Sequence, residues 1–317
     1  MASGDVFLTG ATGFVGSHIL RELLAAGYRV RALARSVEPK RRDETPPGVE
    51  WIEGDLRRVG AFAPALQGCR YLVHCAAVYS FAPRDKAEIS AVNVEGTASL
   101  MLAAHLAGVE RAVLTSSSAT EGHAHSGYHR SKLEQERAAF ASRVGVVALL
   151  PTAPVGPGDA KPTPTGKLIL DFARGKIVAR APGDGGMNLV AVEDVARAHV
   201  AALERGTIGE RYIIGGENFT MDQIWLLLAE LTGRRMPKVR APFALALAAG
   251  FADELRCRLT GATPAVPLEG VRLARERMYA DSSKAQQDLG YSASPVREAL
   301  ARALAWYRDA GCPPRAL

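Results

Sequence analysis

Val6-Phe7-Leu8-Thr9-Gly10-Ala11-Thr12-Gly13-Phe14-Val15-Gly16 is the stretch on which the reading of this chain turns. Residues 6–9 form a short apolar run that predicts a strand. Apolar residues at helical spacing over 14–24 predict a helix, stopped by Gly27. Residues 30–34 make the next extended run. Strand, helix and strand within about thirty residues compose a βαβ unit, whose strands are parallel and whose crossover is right-handed in nearly all cases.

Working outward, further strands are predicted at 49–52, 71–75, 112–116 and 144–150, with helices between them at 60–67, 86–107 and 128–143. That alternation predicts an α/β fold, a doubly wound parallel Rossmann sheet. After Pro151 the rhythm changes: Pro154, Pro157, Pro162 and Pro164 break up a loop, and helices take over at 193–204, 221–231, 243–259 and 295–309. The expected division is a dinucleotide-binding domain over 1–150 and a smaller, mostly helical C-terminal substrate lobe over 151–317. The chain is expected to cross back to the sheet near 177–215. Nothing repeats at a fixed period, so solenoids are excluded.

The 317 residues are 48% hydrophobic and 23% charged, enough apolar material for one large or two modest domains, which excludes disorder. A net charge of +6 suits an acidic partner or a phosphorylated cofactor. The one dense basic run, Lys40-Arg41-Arg42, is followed at once by Asp43 and Glu44 and has no aromatic residue interleaved, so it reads as a solvated loop and not as a nucleic-acid contact. Cys69, Cys75, Cys257 and Cys312 have no metal-ligand spacing and read as reduced structural thiols. With no signal peptide after Met1, a cytoplasmic location is expected. The apolar stretch 241–252 is shorter than the ~20 residues a membrane span takes. Arg240, Arg256 and Arg258 beside it leave peripheral membrane contact as the lesser alternative to a buried helix.

T-G-x-x-G-x-x-G between a strand and a helix is the setting in which a glycine triplet carries information. Gly10 permits the tight turn, Gly13 lets a pyrophosphate approach the amides at the positive helix end, and Gly16 lets helix and strand pack closely. Thr12, Phe14 and Val15 complete the turn. An NAD site usually has an acid at the end of the second strand; here that place holds Arg35 and Ser36, which can meet a 2′-phosphate. NADP is therefore expected ahead of NAD, the alternative being that Arg35 stacks on the adenine or is solvated. Asp55, followed by Leu56, can accept from the adenine amino group.

Tyr128-His129-Arg130-Ser131-Lys132 spells Y-x-x-x-K at a helix start, which puts phenol and ammonium on one face. A tyrosine beside a Lys⁺ becomes a usable acid or base near neutral pH. The row Thr115-Ser116-Ser117-Ser118 at the end of the preceding strand supplies a hydroxyl to hold the substrate oxygen.

Together with Gly54-Asp55-Leu56, His74-Cys75-Ala76-Ala77, Asn93-Val94-Glu95-Gly96-Thr97, Val190–Ala196 and Leu289-Gly290-Tyr291, these motifs resemble the extended short-chain dehydrogenase/reductase (NAD-dependent epimerase/dehydratase) superfamily over nearly the whole chain. Residues 161–166 and 209–218 look most like the hopanoid-associated sugar epimerase group, with dihydroflavonol-reductase-like enzymes as cousins. The resemblance implies hydride transfer at a C–OH/C=O centre of a sugar-like, polyol or bulky carbonyl substrate by an NAD(P)-dependent oxidoreductase/epimerase, the alternative being an NADPH-dependent ketone or aldehyde reductase without epimerase activity. It assigns catalysis to Tyr128, Lys132 and a serine, with Asn93 organising the active-site helix. The serine is Ser117 by match to the reductases and Ser118 by match to the epimerases. Ala76, Ala77 and Val78 would line the adenosine and ribose, and backbone after Pro151 would meet the nicotinamide amide.

Two departures follow. Ala119 and Thr120 stand where dehydratases carry an acid pair, which argues against elimination. The stretch from Ser117 to Tyr128 is shorter than the family habit and lacks a roof over the substrate. His123, His125 and His129 have no carboxylate or cysteine at matching spacing, so no metal is expected. Asp194 reads as a helix-N-terminal charge. A small-molecule substrate is expected, with a homodimer open. The competing class, a non-catalytic dinucleotide-sensing regulator, typically loses Tyr or Lys; both are kept.

Overall fold

The computed structural model describes residues 4–37, 45–79, 85–122, 127–177, 179–180, 184–260 and 268–310. Seven parallel strands form the first sheet: β1 (Asp5–Thr9), β2 (Arg29–Ala34), β3 (Val49–Glu53), β4 (Cys69–His74), β5 (Arg111–Thr115), β6 (Gly145–Pro151) and β9 (Arg211–Ile214), in the order β3-β2-β1-β4-β5-β6-β9. The order reverses between β1 and β4, and such a reversal is where doubly wound sheets take ligands, at the carboxyl ends of the strands. Phe7, Leu8, Leu72, Leu114 and Leu149 are fully buried because helices cover both faces of the sheet.

On one face lie α1 (Phe14–Ala25) and α5 (Val192–Arg205). Ile19 and Leu23 of α1 are completely buried there, each stabilising the fold by about 1.5–3 kcal/mol relative to exposure. On the other face lie α2 (Gly96–Leu106) and α3 (Gly127–Phe140), which bury Leu100, Met101, Ala104 and Ala139.

A second lobe is built on β8 (Gly186–Ala191), which pairs antiparallel with β10 (Glu217–Thr220) and parallel with β7 (Ala153–Val155) and β11 (Arg277–Met278). Around it pack α4 (Pro164–Ala173), α6 (Met221–Thr232) and α10 (Val296–Asp309), with Phe172 stacked on Trp225 at 5.8 Å. The lobe also carries α7 (Phe243–Thr260) and α8 (Leu268–Leu273); α9 (Ser283–Leu289) returns to the first sheet beside β9.

Three expectations change. The helix expected at 60–67 is a pair of 3₁₀ turns, Leu56–Ala61 and Ala63–Leu66, because Arg58 leaves helical geometry (φ −140°, ψ 53°) and Pro64 cannot continue a hydrogen-bonded ladder. The helix over 193–204, expected in the second lobe, packs on α1 and the first sheet, with Val195, Ala198, Ala202 and Leu203 facing that core. The helix expected over 86–107 contains a π segment, Ser90–Glu95, between the short turn Lys86–Ile89 and α2.

Candidate active site

The turn from β1 into α1 separates its three glycines by physical need. Gly10 has φ +78°, and a Cβ there would stand 2.8 Å from the Ala76 nitrogen. A Cβ on Gly16 would overlap the Gly10 carbonyl oxygen. The fold itself therefore demands glycine at both places. Gly13 is different: its φ of −86° suits any residue, and an added Cβ would meet only the Gly10 oxygen, at 3.3 Å. A glycine that packing does not require, at a helix N-cap with no side-chain cap, leaves the amides of Phe14, Val15 and Gly16 open to an anion. The residues present thus fit a pyrophosphate-bearing dinucleotide. Thr12 is exposed, and Phe14 and Val15 are half-buried on the same turn.

Arg35 stands exposed at the end of β2, next to the exposed Ser36. Asp55 accepts from the Arg57 backbone N–H at 2.9 Å and pairs with the Arg57 guanidinium at 2.5 Å, a hydrogen bond that pulls its pKa down to about 2. Its carboxylate is thereby held in the 3₁₀ turn, while Leu56 is buried against α2. Asp55 remains 24% exposed, so it can still meet a base edge.

After β4 the backbone of Ala76, Ala77 and Val78 runs past the glycine turn. Asn93, fully buried in the π segment, holds it: its Oδ1 accepts from Val78 N–H at 2.7 Å and its Nδ2 donates to Val78 O at 3.0 Å and to Ser131 Oγ at 3.3 Å. The π segment gives this helix the extra residue per turn that accompanies such functional positions. One amide thus joins the segment after β4 to the helix bearing Lys132.

Lys132 is 2% exposed. Its Nζ donates to Thr115 O at 2.7 Å and to Gln135 Oε1 at 2.5 Å, and burial lowers its pKa to about 8. Gln135 Nε2 in turn donates to Thr97 Oγ1 at 3.1 Å and lies 3.2 Å from His74 Nε2. His74 Nδ1 meets Thr9 Oγ1 at 2.7 Å, and Thr9 Oγ1 accepts from Ala76 N–H at 3.2 Å. A continuous buried polar chain therefore runs from the Lys132 ammonium to the residue before Gly10. Burial drives the pKa of His74 down to about 3, so it is neutral here. Tyr128 is the second residue of α3, one turn before Lys132; its side chain lies outside the described residues, as do His123 and His125.

Ser116 donates to the buried carboxylate of Glu136, which also accepts from Thr120 Oγ1 at 2.8 Å and pairs with Arg211 at 2.8 Å. Ser117 caps the 3₁₀ turn Ser118–Glu121, its Oγ accepting from Ala119 N–H at 3.3 Å. Ser117 and Ser118 remain half-buried at the mouth of the edge. Pro151 is buried at the end of β6, opposite Ile214 of β9.

Sequence reasoning missed Gln135 and Glu136. Their signal was spacing: Glu136 lies four residues after Lys132 and eight after Tyr128, on the same helix face. The second-lobe motifs have structural duties instead. Asp194 is fully buried and accepts from Ser294 N–H at 2.6 Å and Ser294 Oγ at 2.8 Å, so it ties the C-terminal segment to α5 as well as sitting in a helix first turn. Tyr291 donates to Gly215 O at 2.8 Å, and Glu217 accepts from Val296 N–H at 2.7 Å. Among the described residues there is no group of three or more His, Cys, Asp or Glu able to hold a metal ion, and no helix long and apolar enough to cross a membrane.

A parallel sheet with its order reversing at β1 and β4, a ligand-ready helix N-terminus and a buried lysine one strand away define a dinucleotide-dependent α/β enzyme. The chain belongs to the NAD dependent epimerase/dehydratase family, whose model it matches over residues 6–215, and is an NAD(P)-dependent enzyme of the short-chain dehydrogenase/reductase type. It is 38% identical to a protein of Synechocystis sp. named a dihydroflavonol 4-reductase, over 96% of this chain and 95% of that one. It is 35% identical to the sterol demethylase protein B of Methylococcus capsulatus, over 96% and 98%. The crystal structure of gox2253 is similar with a TM-score of 0.83 at 35% identity, covering 98% of this chain and all of that one.

Proposed function

We propose that this protein is a reductase or dehydrogenase moving hydride between a nicotinamide dinucleotide and the C–OH/C=O centre of a bulky, largely apolar small molecule. The observation that carries the reading is Lys132: a buried ammonium held by two neutral acceptors, with no carboxylate hydrogen-bonded to it among the described residues, one helical turn from Tyr128. Such a cation favours the phenolate and so brings a tyrosine hydroxyl into the working range of a proton donor.

Gly10, Thr12, Gly13, Phe14, Val15 and Gly16 would hold the pyrophosphate. Ala76, Ala77, Val78 and Asp55 with Leu56 would line the adenosine side, and Pro151 the nicotinamide side. When bound, the dinucleotide supplies or accepts the hydride. In reduction, Tyr128 would donate its hydroxyl proton to the oxygen that gains charge as the carbonyl is reduced, and Ser117 or Ser118 would donate a hydrogen bond to the same oxygen. Lys132 would stabilise the resulting tyrosinate and offer its remaining N–H to a ribose hydroxyl. Asn93 would keep the Val78 backbone and α3 in register. Ala119 and Thr120 supply no carboxylic acid for elimination.

Arg35 favours NADP over NAD, and the relatives named for dihydroflavonol and sterol chemistry favour a polycyclic alcohol or ketone over a free sugar. The test is equilibrium binding of NADPH and NADH, followed by turnover with cyclohexanone, a 3-ketosteroid and a dihydroflavonol. NADPH should bind more tightly, and Arg35→Ala should remove most of the preference, about 1.5–3 kcal/mol for a charge-assisted contact. Equal affinities in the unmutated protein would refute the NADP assignment. Cofactor that co-purifies and is never consumed would indicate epimerisation, and binding without turnover of any substrate would indicate a sensor.

A further inference from the structure

Helix α7 turns a broad apolar face outward. Leu245, Phe251, Leu255 and Leu259 are 66%, 52%, 59% and 79% exposed. With 3.6 residues per turn they fall, together with exposed Ala244, Ala248 and Ala252, inside one arc of about 120°. Single exposed leucines are ordinary, but a continuous apolar helix face marks a contact surface.

The surroundings of this face select its partner by charge. Segment 234–277 holds nine Lys and Arg against four Asp and Glu, a net of +5 out of the chain's +6. Two of those cations flank the helix directly: the Arg272 guanidinium is 5.9 Å from the Phe251 ring centroid, and that of Arg275 is 4.8 Å from the Phe243 ring. Arg240 is spent on Asp184 and Asp222, and Arg256 on Asp253. Arg235, Lys238, Arg272, Arg275 and Arg277 are exposed and make no ion pair among the described residues. A second copy of this chain is a poor occupant, because a two-fold contact through α7 would bring Arg272 and Arg275 near their own counterparts. An anionic bilayer satisfies both features at once: the apolar face enters the headgroup boundary while the cations meet lipid phosphates. No span is needed, and α7 is not apolar enough to make one.

We propose that the α7 face docks this protein on an anionic phospholipid surface, with Phe251, Leu255 and Leu259 inserted and Arg272 and Arg275 at the phosphates. The docking requires nothing of the oxidoreductase chemistry. It is tested by co-sedimenting the full chain with vesicles of equal phosphatidylglycerol and phosphatidylcholine, and with phosphatidylcholine alone, at low and high salt. Partition onto the anionic vesicles should be on the order of ten-fold stronger and should weaken with salt. The pair Phe251→Ser and Leu255→Ser should lower it by about the same factor at an unchanged melting temperature. If that pair perturbs folding, Arg272→Gln with Arg275→Gln provides the second reading, and should weaken binding and flatten its salt dependence. No binding, or equal binding to both vesicles, overturns the proposal. So does a concentration-dependent dimer in the unmutated chain that either pair of substitutions dissolves.

Discussion

Around the carboxyl edge of the first sheet, Asn93, His74, Lys132, Gln135 and Glu136 are all buried, and each is held by at least two partners. Along α7 the large side chains stand in solvent instead, and the helix leans mainly on α8. The difference reflects two tasks. Buried polar groups are costly unless every one is paired, and a fully paired network fixes positions to the tolerance that hydride and proton transfer require. A helix face proposed to meet a lipid surface has no such demand, so it is free to be apolar.

The contrast would break most dramatically at Tyr128. Tyr128→Phe should lower turnover by about 10²–10⁴-fold with cofactor affinity nearly unchanged, as removing a positioned proton donor does. Full activity in that variant would remove the chemistry from this edge. Substitutions in the exposed face of α7 should leave turnover on a water-soluble substrate intact.

At the glycine turn, Gly10 and Gly16 serve the fold, and on the proposed reading Gly13 serves the ligand. Gly16→Ala forces a methyl onto the Gly10 carbonyl and should cost about 1–3 kcal/mol, read as a lower denaturant midpoint. Gly13→Ala should cost only about 1 kcal/mol in stability, the worth of an altered N-cap, while weakening dinucleotide binding. A Gly13→Ala protein that binds the cofactor normally would contradict the assignment.

A further effect concerns pH. Burial lowers His74 to about 3 and His199 to about 4. Between pH 6.5 and those values the unfolded chain takes up protons that the folded chain excludes, so stability is full above about 6.5 and falls as the pH drops. The loss should approach about 1.4 kcal/mol per pH unit for each histidine, seen in denaturation midpoints at pH 7, 6 and 5. A midpoint that stayed level to pH 5 would mean that these imidazoles are not buried neutral.

Much of this edge is legible in the sequence, because its signals are local. The glycine triplet lies between one strand and one helix, and Tyr128 and Lys132 share one helix. What escaped was set by tertiary contact. Amphipathic spacing identified α5 as a helix but could not say which core it faces. The π segment around Asn93 arises from packing that a 3.6-residue repeat does not encode, and Pro64 with the kink at Arg58 replaced a helix by 3₁₀ turns. Gln135 and Glu136 owe their burial to Thr97, Ser116, Thr120 and Arg211, which come from distant elements to meet them.

If this edge carries hydride to a carbonyl carbon, isotope transfer reads it. Purified protein is incubated with NADPH carrying deuterium at both C4 positions of the nicotinamide and the best ketone from the turnover screen, and the alcohol is analysed by mass spectrometry. One deuterium is expected at the carbinol carbon, formed in step with oxidised cofactor and lost with Tyr128→Phe. Alcohol formed without deuterium, or deuterium transfer undiminished by Tyr128→Phe, would contradict it.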